Sequence, residues 1–258
     1  MSSASDAATR RIIEVLGVPV DVSTLRDAAD RVLMLAENRR GGFFCVRDVH
    51  GVILCQDDPE LLAIHRRAAM VTTDGMPLVR AVRRAGHDDA TRVYGPDLML
   101  EVCGRRVGEL RHFLYGSTSD LLKDLQGNLE RRFPGLNIVG THSPPFRPLT
   151  DDEREEERSL IRAERPDIVW VGLSTPKQER WMAANVEHLD GAVLVGVGAA
   201  FDFHAGRKRQ APSWMQRSGL EWLFRMLSEP RRLGPRYLVV VPRFLWLSMC
   251  ERVSRRRG

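Results

Sequence analysis

The sequence predicts an α/β fold in which a doubly wound, mostly parallel sheet is covered by helices. Short, uninterrupted apolar runs alternate along the chain with longer helix-like segments. The apolar runs have the length of buried strands, and the segments between them are long enough to be crossover helices. The expected architecture is therefore Rossmann-like, and it is followed by a basic, aromatic appendage at the C-terminus.

Six apolar runs are predicted to form the sheet, and six segments are predicted to form helices. The predicted strands cover residues 43–49, 70–73, 111–115, 136–140, 167–173 and 192–197. The predicted helices cover residues 24–37, 59–68, 96–106, 119–132, 151–165 and 176–189.

Two of the predicted helices have recognisable starts. Thr150 precedes three acidic residues, and Ser174 and Thr175 precede Pro176, a residue favoured at the first position of a helix. Helix starts beside the carboxyl ends of parallel strands leave backbone N–H groups that favour an anion. The ligand crevice is expected at this edge of the sheet.

Composition limits the class of protein. The chain has 258 residues, 43% of them hydrophobic, and a formal charge of +5, which suits a phosphate-bearing ligand or an anionic surface. The four cysteines show no metal-type spacing, and no apolar run reaches the roughly 18 residues of a spanning helix. A reduced, cytoplasmic protein is expected, with a flexible tail at 1–10, an α/β domain at 11–228 and an appendage at 229–258.

The segment TTDG at the end of the second predicted strand provides the first candidate for catalysis. Asp74 would point into the crevice, where it could accept a proton from an attacking hydroxyl. Asp-Gly is also common in β-turns, so a turn aspartate is the competing interpretation.

Two further segments that follow predicted strands have residues that could contact a ligand. Gly172 would let the backbone approach a ligand, and Lys177 and Gln178 could reach a diphosphate or a sugar hydroxyl. Around Gly198, the segment VGVGAAFDFHAG places Asp202 where it could read a base or ribose. An ordinary helix start and a tight core turn are the alternatives.

Metal binding is not expected. His50 and His204 have no partner at ligand spacing, so structural histidines are the favoured interpretation. The C-terminal segment from Glu229 interleaves arginines with aromatic residues, which is typical of a membrane surface or of single-stranded nucleic acid. A core helix with basic flanks is the third interpretation.

Taken in order, seven segments resemble the WecG/TagA/CpsF family of glycosyltransferases. They are TTDGMPLVRA, RVYGPDLML, FLYGS, PGLNIVG, RPDIVWVGLSTPKQERWM, GVGAAFDFHAG and APSWMQRSGLEWLFRMLSEPRR. The similarity covers roughly residues 40–237 in unbroken order, and PKQE and GLEW are its specific parts.

The resemblance implies an inverting, metal-independent enzyme that acts at the inner face of the plasma membrane. It would transfer an N-acetylmannosamine-type hexose from a UDP-sugar to a polyprenyl-diphosphate-linked acceptor in cell-surface polysaccharide biosynthesis. Asp74 matches the proposed base, Arg92 and Gln178 match pocket residues, and Asp202 and Phe146 match positions expected to contact the uracil. The matched glycines Gly95, Gly116, Gly172 and Gly198, with Lys177, are expected to line the UDP-sugar site. Arg225, Arg232 and Arg236 resemble the arginines that neutralise the leaving UDP.

One position departs from the family pattern. The first predicted strand ends in Val46-Arg47-Asp48, where the family usually has Thr-x-Asn. Ionised Asp48 only accepts hydrogen bonds and adds charge near a diphosphate, so it could alter the donor sugar or compete with Asp74 as base. A scaffold in a polysaccharide assembly complex is one alternative, and a nucleic-acid-binding protein is the less favoured one.

Overall fold

The computed structural model of the chain describes residues 10–255. The tail predicted at residues 1–10 therefore lies almost entirely outside the described residues, as do the last three residues. The strands are β1 Ile12–Val15, β2 Val18–Asp21, β3 Gly42–Arg47, β4 Met70–Thr73, β5 Arg111–Gly116, β6 Asn137–His142, β7 Ile168–Gly172 and β8 Val193–Gly196. The helices are α1 Leu25–Glu37, α2 Val49–Asp57, α3 Pro59–Arg67, α4 Met76–Arg84, α5 Gly95–Cys103, α6 Ser119–Arg132, α7 Asp151–Ala163, α8 Lys177–Asn185, α9 Ala200–His204, α10 Ser213–Ser218, α11 Glu221–Ser228 and α12 Pro230–Arg255.

Six strands form one parallel sheet in the order β4-β3-β8-β7-β5-β6, which confirms the predicted fold class. Apolar residues of α1, α5, α6 and α9 cover one face, and those of α3, α7 and α8 cover the other. All six carboxyl ends meet at one edge, where ligands of doubly wound sheets bind.

The six predicted strands agree with the structure to within two residues at each end, but the first ends early. β3 stops at Arg47 because Asp48 is the N-cap of α2, where its side chain accepts a hydrogen bond from the amide of Gly51. Helices α2, α4, α9, α10 and α11 are not among the six predicted helices, and the hairpin formed by β1 and β2 was not predicted either.

The predicted helix starts are confirmed in one case and wrong in the other. Thr150 caps α7 in a capping box with Glu153. Helix α8 begins at Lys177 and not at Pro176, which is its N-cap and makes no side-chain capping bond. The hydroxyl of Thr175 points instead to Glu179, 3.3 Å away.

The C-terminal segment forms one helix, α12, which continues through Pro235 and Pro242. Each proline frees the carbonyl four residues earlier, at Arg231 and Leu238, and these residues are exposed, so water can satisfy the freed groups. Val240 and Phe244 on the other face are buried in a third apolar cluster with the hairpin, α2 and α4. Across residues 10–255, no helix combines the length and apolar character that a membrane span requires.

Candidate active site

Two aspartates lie side by side at the carboxyl ends of β3 and β4. The last register pair of these strands is Arg47 with Thr73, and Asp48 and Asp74 are the next residues. The amide of Asp74 donates to the carbonyl of Arg47 at 2.7 Å. Both aspartates line a cleft of about 840 Å³. The structure thus brings together the two residues that the sequence offers as a base.

The surroundings of Asp74 favour its neutral form. Its Oδ1 accepts a hydrogen bond from the amide of Gly95 at 3.2 Å, which is the one bond that this side chain makes within the described residues. Burial raises the pKa of Asp74 to about 6. Arg92 opposes this rise, while Glu221 and Asp48 add to it. A carboxyl group with a pKa near 6 can accept and release a proton near neutral pH, as a general base must.

Asp48 has a different environment. Its Oδ1 accepts the capping bond from the amide of Gly51 at 3.0 Å. Burial alone would raise the pKa of Asp48, but His50, this amide and Arg236 outweigh it and hold the pKa below its ordinary value. A carboxylate that stays ionised is a weak proton acceptor. The opposite directions of the two pKa shifts favour Asp74 over Asp48 as the base.

Arg92 connects Asp74 to the C-terminal helices. Its Nε donates to the backbone carbonyl of Asp74 at 2.5 Å, and its Nη2 donates to Glu221 of α11 at 2.5 Å. The guanidinium carbon lies 3.9 Å from the centre of the Tyr94 ring. Since the guanidinium is held on three sides, it fixes the strand end of Asp74 relative to α11.

The predicted arginines of the appendage fall into three different positions. Arg225 lines the cleft with Asp74 and Asp48. Arg236 lies close enough for its charge to lower the pKa of Asp48. Arg232 is exposed, and its Nε is 2.8 Å from the carboxylate of Glu229. The structure therefore brings Arg225, and more distantly Arg236, to the aspartates, whereas Arg232 is outside the cleft.

Gln178 lies at a second part of the edge, at the start of α8, and is buried. Its Nε2 donates to Oε1 of Glu179 at 2.8 Å, and Glu179 forms an ion pair with Arg47 in which both side chains are at most 1% exposed. A carboxylate only accepts, so the amide nitrogen of Gln178 must face Glu179. Its Oε1 is buried without a partner among the described residues and lies beside Gly198, where an added Cβ would be 3.5 Å away.

The remaining predicted glycines are packed tightly at the strand ends. A Cβ on Gly116 would come within 2.7 Å of the carbonyl oxygen of Gly172, and Gly116 has a φ of +116°. A Cβ on Gly95 would lie 3.2 Å from the carbonyl oxygen of Val197. These contacts require glycine for packing, whether or not a ligand is bound.

Three other predicted residues lie outside the cleft that holds Asp74. Phe146 follows β6 and is 83% exposed, and Lys177 is the exposed first residue of α8. Asp202 is on α9, with its Oδ1 3.6 Å from Nζ of Lys208. Each follows the carboxyl end of a strand, so all belong to the same edge as Gln178.

Several residues of the cleft were not predicted from the sequence. Gln216, Glu221, Trp222 and Tyr237 line the cleft, and so does His50, which was predicted to be a structural histidine and not a metal ligand. Burial lowers the pKa of His50, so the ring is neutral near pH 7. The signal that could have identified Glu221 and Trp222 is the GLEW segment, which was singled out for its specificity but not assigned to the site.

Within residues 10–255, no three His, Cys, Asp or Glu side chains are grouped to hold an ion. The Nε2 of His204 lies 2.9 Å from the carbonyl oxygen of Pro96, which is a structural contact.

Comparison with known proteins extends over nearly the whole chain. Residues 13–258 match the glycosyl transferase WecG/TagA/CpsF family. The chain is 27% identical over 247 residues to proteins of Staphylococcus aureus strains MW2, NCTC 8325 and MRSA252, with 91% of each chain covered. Each of these relatives is named an N-acetylglucosaminyldiphosphoundecaprenol N-acetyl-beta-D-mannosaminyltransferase. The chain belongs to the WecG/TagA/CpsF family and is a glycosyltransferase.

Proposed function

We propose that this enzyme transfers an N-acetylmannosamine-type hexose from a UDP-sugar to a polyprenyl-diphosphate-linked sugar, with inversion at the anomeric carbon. The observation that carries the proposal is the position of Asp74, a carboxyl group with a pKa raised to about 6 in a cleft that also contains Arg225. The names of the relatives support the acceptor class and the mannosaminyl group. The reaction would contribute to cell-surface polysaccharide biosynthesis.

In this mechanism, Asp74 removes the proton of the acceptor hydroxyl as its oxygen attacks the anomeric carbon. The bond between that carbon and the UDP oxygen breaks, and UDP leaves with the electron pair. Arg225 lines the same cleft and is proposed to stabilise the charge that develops on the diphosphate, with Arg236 as a second positive charge close to Asp48. Asp48 remains ionised beside the site. Because its carboxylate repels phosphate, it is a candidate for determining which sugar nucleotide the enzyme accepts as donor.

Gln178 and the glycine-containing loop after β8 form the proposed donor side of the active site. The unpartnered Oε1 of Gln178 offers an acceptor to a hydroxyl or N–H group of the nucleotide sugar. Asp202 and Phe146 are proposed to contact the uracil after loop movement, because Phe146 is exposed in this structure.

The first test is binding of UDP and a panel of UDP-hexoses, followed by ligand-dependent thermal shift. Gln178→Ala and Asp202→Ala should weaken binding, whereas Glu156→Ala on the exposed face of α7 should not. Release of UDP should then require a polyprenyl-diphosphate-linked acceptor and continue in the presence of EDTA. Absence of UDP-hexose binding would favour the scaffold alternative, and loss of turnover in EDTA would contradict metal independence.

Attachment to the inner face of the plasma membrane through α12 is part of the same proposal. Leu238, Val239 and Trp246 are each at least 63% exposed on this helix. Truncation after Pro235 would also remove the buried Val240 and Phe244, so charge substitutions give a cleaner test. Leu238→Glu with Trp246→Glu should abolish binding to anionic vesicles, while Leu160→Glu on α7 should leave it intact. Unchanged binding of the double variant would contradict attachment through α12.

A further inference from the structure

The cleft extends well beyond the residues that the chemistry requires. One wall is a stripe of α4 and its C-cap with residues four apart, Pro77, Ala81 and Ala85, and another wall is a similar stripe of α12 that runs from Tyr237 to Met249. Residues four apart lie on one face of a helix, and both stripes line the same cleft, so they form two walls of one channel. We call this channel the α4–α12 slot.

The two ends of the slot differ in character. At the inner end, Asp74 and Arg225 line the same cleft. At the outer end, Met249 is 63% exposed, and Leu245 beside it is 57% exposed. The stripe from Tyr237 to Met249 spans ~18 Å at 1.5 Å per residue. The slot thus leads from the site of proton transfer to the apolar surface of α12.

A nucleotide sugar does not account for the slot. Its polar groups would gain nothing from walls made by Ala81, Ala85 and Val241. A ligand that suits both ends has an anionic group for the arginines and a flexible apolar chain for the walls. Arg80 and Arg84 also line the cleft from α4, so positive charge is available beside the apolar path.

We propose that the α4–α12 slot binds the isoprene units of the acceptor that lie nearest to its diphosphate. This inference rests on the proposed function for the identity of the acceptor. The acceptor diphosphate lies toward the inner end beside Arg80, which lines the cleft from α4, and Arg225 is left to the departing UDP. This brings the acceptor sugar to Asp74, and the chain leaves past Met249 toward the membrane. The slot fixes the distance between the membrane surface and the reacting hydroxyl, in addition to any general attraction of α12 for lipid.

The test is equilibrium binding of plain prenyl diphosphates of 5, 10, 15 and 20 carbons to the full chain, by calorimetry without vesicles and below the concentration at which the ligands aggregate. A buried methylene strengthens binding about fourfold, so each added isoprene unit inside the slot should tighten binding at least about tenfold. The gain should stop once the slot is full. Because no sugar is transferred, this measurement separates failure of the slot from failure of the proposed reaction.

A matched pair of variants locates the binding. Ala85 and Ala63 are both exposed alanines, but Ala85 lines the slot and Ala63, on α3, does not. Ala85→Trp should reduce the ratio of 20-carbon to 5-carbon affinity by tenfold or more, and Ala63→Trp should keep the wild-type ratio. Affinity that is independent of chain length, or that depends on it only when vesicles are present, would overturn the slot. Equal ratios in the two variants would do the same.

Discussion

The two halves of the ligand edge are built in different ways. On the proposed donor side, Gln178 is held by a fully buried ion pair between Arg47 and Glu179. On the proposed acceptor side, Asp74 lies among half-buried side chains, and Arg92 joins it to α11 through Glu221. The first half is fixed by the core, whereas the second depends on how the C-terminal helices pack. In the proposed mechanism, preorganisation therefore belongs to donor recognition, and adjustment is possible where the lipid-linked acceptor would enter.

The largest expected effect is loss of the base on the acceptor side. Asp74→Asn keeps the shape of the side chain and can still face the amide of Gly95, but it cannot take a proton. The kcat should fall by about 10²–10⁴-fold, the usual contribution of a general base. UDP-hexose affinity should stay near the wild-type value, because the donor side is untouched. Acceptor-dependent UDP release is the measurement, and near-normal turnover would transfer the role to Asp48, with Asp48→Asn as the control.

Removing one partner of the buried ion pair should cause the largest decrease in the free energy of unfolding. Glu179→Leu leaves the Arg47 charge buried without its partner, which typically costs about 3–5 kcal/mol in the free energy of unfolding. The double variant Arg47→Met, Glu179→Leu should recover most of that loss, since apolar replacements of buried pairs are often neutral. Denaturant unfolding measures both values.

The same pair of variants tests whether Glu179 positions Gln178. Without the carboxylate, Gln178 has lost the partner that holds its amide nitrogen. The double variant should therefore regain stability but bind UDP-hexoses more weakly than wild type. If its affinity is unchanged, the ion pair serves folding alone, and the contrast between the two halves of the edge is weaker than the geometry implies.

A smaller effect is expected from pH. The pKa of Asp74 is raised to about 6 in the folded protein, so the base is lost as the pH falls through 6, and kcat/KM should drop about tenfold per pH unit below it. The raised pKa also means that ionised Asp74 destabilises the fold above pH 6, a penalty that disappears below the unfolded pKa near 4. Asp74→Asn should therefore raise the thermal midpoint at pH 7.5 and not at pH 3.5. A value of kcat/KM that stays constant between pH 5 and pH 7 would contradict Asp74 as the base.

Much of the sheet, and less of the site, could be predicted from the sequence. Buried parallel strands are continuous apolar runs, so β4 was predicted at its observed bounds and the others within two residues. The hairpin of β1 and β2 turns through Leu16 and Gly17, which both have positive φ. Leucine is rare in that conformation, so the turn gives almost no local signal.

The cleft was harder to predict because its members meet only in three dimensions. Asp74 could be identified from its strand end, but the partner that connects Arg92 to α11 is Glu221, 129 residues further along the chain. Likewise, nothing local indicates that Ala85 faces α12. Strand ends and helix starts are encoded nearby in sequence, whereas the acceptor half of the edge results from long-range packing of the C-terminal helices.

The smallest expected effect concerns the attachment of α12 itself. Arg243 donates to both carboxylate oxygens of Asp57 at the end of α2, with Nη2 2.6 Å from Oδ1, and both side chains are well exposed. Exposed pairs contribute little to stability, so Arg243→Ala should give the smallest shift in thermal midpoint of these variants. The shift should disappear in 1 M salt, where the screening length is about 3 Å.

Because Val240 and Phe244 anchor the same helix by burial, Phe244→Ala should shift the thermal midpoint far more, and this shift should not depend on salt. If Arg243→Ala had the larger effect, α12 would be held to the domain by charge, and the acceptor half of the edge would come apart as ionic strength rises.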